Sequence, residues 1–113
     1  MQRVPNSIAP QQLGVSASVL YSTPASTITT VANLSFTNTS ASPVSVTVYN
    51  VPNGGSAGVA NELVSSYSIP AGQTYVPPQA IGLNLSAGST LQALASTAAV
   101  VAAQGGVYET SGS

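Results

Sequence analysis

The sequence predicts an all-β protein, a single small antiparallel β-sandwich (jelly-roll or Ig-like) with an extended N-terminal arm. Three observations carry this. Apolar residues alternate with Ser, Thr and Asn at a period of two over most of the chain. Clusters of Gly, Pro, Ser and Asn interrupt that alternation roughly every ten residues, which suits seven or eight short strands. The 113 residues include no cysteine, and 3% of them are charged. Packing and backbone pairing, not disulfides or ion pairs, must therefore hold the chain together. Its length suits one domain with a buried core.

Residues 1–13 read as the arm, and residues 14–113 as the sandwich domain. Pro5 and Pro10 each remove a backbone donor, and no period is sustained around them. Ile8 and Leu13 stand isolated there as candidate anchors on a neighbouring subunit. Alternation begins at Val15 and runs through Ala17 and Val19, until residues 22–26 break it. Ile28, Thr30, Ala32, Leu34 and Phe36 then share one face, and Val44, Val46 and Val48 share another after a turn cluster at residues 38–43. These two runs are expected to pair as a half-buried antiparallel hairpin. Residues 51–58 form a Gly/Pro-rich loop, and Leu63, Tyr67 and Ile69 mark another strand.

A short echo follows. Ile69-Pro70-Ala71-Gly72-Gln73-Thr74-Tyr75 and Leu85-Ser86-Ala87-Gly88-Ser89-Thr90-Leu91 share an apolar-x-Ala-Gly-x-Thr-apolar pattern. Each glycine suits the positive φ of a tight turn, so each copy predicts a chain reversal. Between them Pro77-Pro78 argues for an edge or a crossing between sheets rather than a central strand. Residues 91–104 are compatible with either a helix or strands. Thr97 and Val100-Val101 favour two strands broken near residues 96–97, with Gly105-Gly106 bending or bulging the last one.

The same composition excludes much chemistry. Asp, Lys, His and Cys are absent, and Arg3, Glu62 and Glu109 are the charged side chains. A nucleophile activated by a base, a His/Cys metal cage and a tuned acid–base pair all lack their parts. The chain is thus expected to be no enzyme, with no cofactor and no metal. One arginine cannot supply the phosphate contacts of nucleic-acid binding. The longest apolar run falls far short of a membrane span, and residues 1–14 contain no apolar core of a secretion leader. Ser and Thr, about a quarter of the chain, must meet water instead of charge, a surface suited to packing among other subunits.

Candidate binding residues are accordingly Ile8 and Leu13 in the arm, Tyr21 beside a strand, and Asn53, Gly54 and Gly55 in the flexible loop. The loop lacks the Lys-Ser/Thr of a phosphate-binding loop. Tyr21, Tyr49, Tyr67, Tyr75 and Tyr108 could also line a protein or sugar site, since tyrosine joins an apolar ring to a polar tip. The sequons at Asn33, Asn38 and Asn84 are what a Ser/Thr-rich chain produces by chance.

In combination, Leu20-Tyr21-Ser22-Thr23-Pro24-Ala25, Thr37-Asn38-Thr39-Ser40, Val44-Ser45-Val46-Thr47-Val48-Tyr49, Val51-Pro52-Asn53-Gly54-Gly55 and Ile69-Pro70-Ala71-Gly72-Gln73-Thr74 form a pattern. It resembles a group of small β-sandwich structural proteins of tailed bacteriophages, over residues 20–96. Ser89 departs from that pattern, which has an acidic residue in the last turn. The resemblance implies a virion component assembled in the bacterial host cytoplasm. It implies a homo-oligomer whose partners are other virion proteins, the major capsid protein or neck and tail proteins. Capsid decoration or cement is the first expectation, a neck or tail subunit the second. A carbohydrate-binding β-sandwich, suggested by the tyrosines, is the third.

Overall fold

Nearly every alternating run becomes a strand. A computed structural model of the chain describes residues 3–78, 80–97 and 99–111, and Met1 and Gln2 of the expected arm lie outside them. The strands are β1 (Arg3–Gln12), β2 (Ser18–Ser22), β3 (Thr27–Asn38), β4 (Val44–Val51), β5 (Glu62–Ile69), β6 (Thr74–Tyr75), β7 (Asn84–Leu85), β8 (Thr90–Ala95) and β9 (Val101–Ser111). A single 3-10 turn, Val59–Asn61, precedes β5. Of residues 91–104, residues 91–95 lie in β8 and residues 101–104 in β9.

Two antiparallel sheets pack face to face. One, sheet A, runs β1-β9-β3-β6, with β7 also paired to β3; the other, sheet B, runs β2-β8-β4-β5. β6 meets Phe36 and Thr37 of β3, and β7 meets Thr29 and Thr30. They are two pieces of one edge strand, parted by a segment that contains Pro77 and Pro78. Counted so, each sheet has four strand positions, and the first four strands alternate between sheets. This is the jelly-roll arrangement rather than the Ig-like one.

That topology corrects the expected hairpin. β3 lies in sheet A and β4 in sheet B, so the two runs face each other across the core and do not pair. Alternation marks a strand, not which strand lies beside it. The expected shared face of β3 is also split, because the extra residue Ala32 switches the phase. Leu34 and Phe36 are buried, while Ile28 and Thr30 face outward and Thr29 and Val31 face inward. Asn38 pins the crossing between them. It is fully buried, its amide donates to the carbonyls of Ser42 (2.8 Å) and Ile69 (2.9 Å), and its Oδ1 accepts from the Ser40 amide (2.9 Å) and hydroxyl (2.7 Å). Every donor of that side chain is used, as burial requires.

Nor do residues 3–12 project as an arm. They form β1, the edge of sheet A, in register with β9 from Arg3↔Thr110 to Gln12↔Ala102. Ile8 and Leu13 are each 1% exposed and belong to the chain's own core. Proline is compatible with this because a strand at a sheet edge can turn the missing N–H outward. The free edge of β1 consequently lacks donors at Pro5 and Pro10.

β9 is the strand both neighbours share. Between Val31↔Val107 and Asn33↔Gly106, β3 carries one extra residue, Ala32. β1 likewise carries an extra residue between Ile8 and Gln11. The bulges therefore sit on the flanking strands, that of β3 beside the Gly106–Val107 step and that of β1 opposite Gln104, not on the glycines themselves. A Cβ on Gly105 would lie 2.1 Å from the Asn33 carbonyl oxygen, whereas one on Gly106 would meet only the Asn6 carbonyl at 3.7 Å. The repeated turns form as their glycines require. Gly72 and Gly88 have φ of 73° and 79°, inside turns closed by Gln73 N–H to Pro70 (3.1 Å) and Ser89 N–H to Ser86 (2.9 Å).

Two outcomes follow for stability. Gly105→Ala should cost about 2–4 kcal/mol, since backbone must move to admit the methyl, while Gly106→Ala should stay within about 0.5 kcal/mol of the parent. Ile8→Ala and Leu13→Ala should each cost about 2–4 kcal/mol, as core truncations do. Urea unfolding midpoints of the four variants check both.

Candidate functional site

Each open side of the sandwich is closed by tyrosine. On the β1/β2 side, Tyr21 points between the sheets and its hydroxyl donates to Glu109 Oε2 on β9. The Asn6 amide on β1 donates to the same hydroxyl at 3.2 Å. On the opposite side Tyr67 of β5 stacks on Tyr75 of β6, with ring centroids 3.8 Å apart and planes 15° from parallel. Burial first, and then the neighbouring Tyr67 phenol, raise the Tyr75 hydroxyl above the usual tyrosine value of 10.0. Tyr21 and Tyr75 thus join one sheet to the other. Tyr108 faces outward from sheet A.

The two carboxylates do not form a catalytic pair. Glu109 is held against Tyr21 of β2, and Glu62 opens β5. β2 and β5 are the opposite edges of sheet B, about 14 Å apart at ~4.8 Å per strand step. Paired glycosidase carboxylates sit within about 9.5 Å of each other. Among the described residues no group of three or more His, Cys, Asp or Glu could hold a metal ion, and no helix is long and apolar enough to cross a membrane.

The expected binding residues separate in space. Ile8 and Leu13 are buried, Tyr21 is half-buried in its clasp, and Asn53, Gly54 and Gly55 are exposed. The loop is not free at its base. Gly55 N–H donates to the Pro52 carbonyl (2.9 Å) with Gly54 at φ 80°. The Asn53 side chain lies over Gly88, where a Cβ would come within 2.5 Å of its carboxamide carbon. Thr23 N–H donates to the Ser89 carbonyl (2.9 Å), and Gly88 N–H to the Thr23 carbonyl (3.1 Å). The segment after β2, the β4–β5 loop and the β7–β8 turn therefore converge on one end of the molecule.

That end holds an open cavity of about 440 Å³, lined by Asn50, Pro52, Ala60, Asn61, Glu62, Leu63, Asn84, Ser86 and Ser89. The sequence did not bring these residues together; it marked Glu62 only as one of the charged side chains and Asn84 only as a chance sequon. One signal was available. Val44, Val46 and Val48 face the core, and the next residue in that phase is Asn50, opposite Leu91.

A second surface is the outer face of sheet A. Its register sets Pro5, Tyr108, Thr30 and Asn84 in one row across four strands, beside a row with Thr110 and Ile28. Ile28 is 52% exposed and Tyr108 37%. The charged residue whose register position falls on this face is Arg3, opposite Thr110 at the start of β1.

These features define a small jelly-roll domain. No protein-family model and no curated protein sequence matches the chain. By fold it is similar to a protein of Bacillus endospore appendages, described as forming a novel family of disulfide-linked pili. Their identity is 15% and their TM-score 0.56, over 100% of this chain and 93% of that one. It is also similar to a chain of infectious bursal disease virus, Gx strain, at 13% identity and TM-score 0.50, over 96% of this chain and 33% of the viral one. This chain thus spans about a third of the viral chain it matches. What these likenesses share is the fold.

The Tyr75 environment sets an alkaline limit. Above about pH 10 the unfolded chain loses the Tyr75 proton before the folded chain does, so stability should fall as pH rises and be indifferent to this group below that. Tyr75→Phe should remove that part of the alkaline loss, which urea midpoints at about pH 9 and about pH 11 will read.

Proposed function

We propose that this chain is a non-enzymatic structural protein of a virion, attaching to the capsid as a decoration or cement protein and assembling in the bacterial host cytoplasm. The observation that carries this reading is the charge-poor outer face of sheet A, where the register places one charged residue, Arg3, in the row of Thr110 and Ile28. It is otherwise a four-strand surface of Thr, Ser, Gly and Ala around Ile28 and Tyr108, which another protein can cover with little ionic desolvation. The tailed-phage sequence pattern supports the virion setting, and the jelly roll is an architecture that capsid proteins use. Many copies on a lattice would make weak single contacts sufficient.

Contact through a face also agrees with the guarded edges. β1 lacks two donors at its free edge, β2 is short with a shifted register, and β5 carries a register shift and a positive φ at Ser66. β6 and β7 are two residues each. Such features discourage the addition of a foreign strand.

A neck or tail subunit that assembles mainly with its own copies is the second reading. The likeness to a pilus protein over nearly the whole of both chains favours it. With no cysteine in the sequence, any such polymer would be held without disulfides.

Copies per purified particle, counted by quantitative mass spectrometry, separate the two readings. Hundreds are expected for a cement protein, and a few dozen or fewer would replace it with the neck or tail subunit. Ile28→Asp with Tyr108→Asp should weaken attachment at least tenfold, a loss of about 1.4 kcal/mol, while the fold is kept. Attachment of the parent chain should change only weakly with salt, because the register places a single charged residue, Arg3, on this face. Attachment that survives the double substitution would overturn the role of this face.

A further inference from the structure

We infer that the cavity between the β4–β5 loop and the β7–β8 turn is a binding site for a neutral, polyhydroxylated ligand of the size of a mono- or disaccharide. Its volume of about 440 Å³ lies within the range of small-molecule sites. Its lining decides the chemistry. Three asparagines, two serines and Glu62 face three small apolar facets, Pro52, Ala60 and Leu63.

Exclusion narrows the ligand class. No cationic side chain lines the cavity, so phosphate, sulfate or an acidic sugar would meet Glu62 without compensation. One carboxylate among neutral amides falls short of the several charged oxygens that hold calcium. An apolar ligand would bury Asn50 and Glu62 unsatisfied. A peptide added as a strand would need a regular edge, and β5, which begins at Glu62, changes register twice against β4. Adjacent hydroxyls meet none of these objections, because a carboxylate accepts from two of them and an amide both donates and accepts.

The walls are already set. Asn61 Oδ1 accepts from Gly58 N–H (3.0 Å), and its Nδ2 donates to the Ser56 carbonyl (3.0 Å). Thr30 donates to Asn84 Oδ1 (2.8 Å), which orients that amide and leaves its nitrogen able to donate. Asn53 on Gly88 fastens the loop to the turn. By contrast, the side chains of Asn50 and Glu62 make no hydrogen bond to another described residue. Two half-buried polar side chains with no partner among the described residues, in a braced open cavity, are what a preorganised site presents. With no aromatic ring in the lining, single-site affinity is expected in the millimolar range, about −4 kcal/mol. The site does not depend on the proposed assembly, which would only multiply it.

The test uses the dispersed full-length chain, so that it is independent of particle attachment. Saturation-transfer and amide-shift NMR would be run with glucose, galactose, mannose, N-acetylglucosamine and their disaccharides. Calcium chloride and an unstructured neutral peptide form parallel arms. At least one neutral saccharide should bind and shift the Asn50 and Asn84 side-chain amides. Asn50→Ala and Glu62→Gln should each weaken it about tenfold, with unfolding midpoints unchanged. Three results would overturn the inference: no saccharide binding, saccharide binding indifferent to both substitutions, or shifts at these amides with calcium or peptide alone.

Discussion

The approach of β3 to β9 at Gly105 is the constraint on which the rest of the sandwich depends. The Asn33 carbonyl oxygen occupies the place that a side chain would take on that residue, so the two longest strands meet only because one carries nothing there. β9 in turn pairs with β1, and that pairing places Ile8 and Leu13 in the core. It also sets Glu109 where Tyr21 of the other sheet reaches it. A displacement at Gly105 would therefore reach the sheet, the core and one of the two tyrosine clasps together, since packed interiors transmit strain.

Scarcity of charge shapes everything outside the core. With few ions to place, water contact falls to hydroxyls and amides, and the polar groups between the sheets must satisfy one another. Asn38 does so completely, and Tyr21 does so with Asn6 and Glu109. The buried Thr23 and Thr29 hydroxyls lack a partner, while the half-buried side chains of Asn50 and Glu62 meet at an open cavity at one end of the molecule. The outer face of sheet A is the complementary case, a broad surface on which the register places one charged residue, Arg3. One chain thus presents two charge-poor surfaces of different kind, a flat one suited to protein and a concave one suited to hydroxyls.

Much of the strand content was legible. The period-two runs at residues 28–37, 44–49 and 62–69 became β3, β4 and β5, and both Ala-Gly repeats became turns with positive φ. Pairing was less so. Alternation in β3 and β4 is satisfied equally well by strands side by side and by strands facing across a core, and only the buried amide of Asn38 selects the second. The prolines of β1 masked a strand, because proline forbids a donor but not an edge position. The cavity was least legible, since Asn50, Glu62 and Asn84 come from three strands and are unremarkable one by one. The inward phase of Asn50 after three core valines was the one local trace of it.

By itself the sequence determined an all-β sandwich with no cysteine, histidine, lysine or aspartate, because those features depend on which residue types are present and on their spacing along the chain. Only the tertiary structure decided the jelly-roll strand order, the burial of Ile8 and Leu13, and the meeting of Asn50, Glu62 and Asn84 in one cavity. Composition and period are local properties that any strand order preserves. Neighbours across a sheet or a core are set by which crossings close with their backbone groups satisfied, a condition met by the whole chain at once.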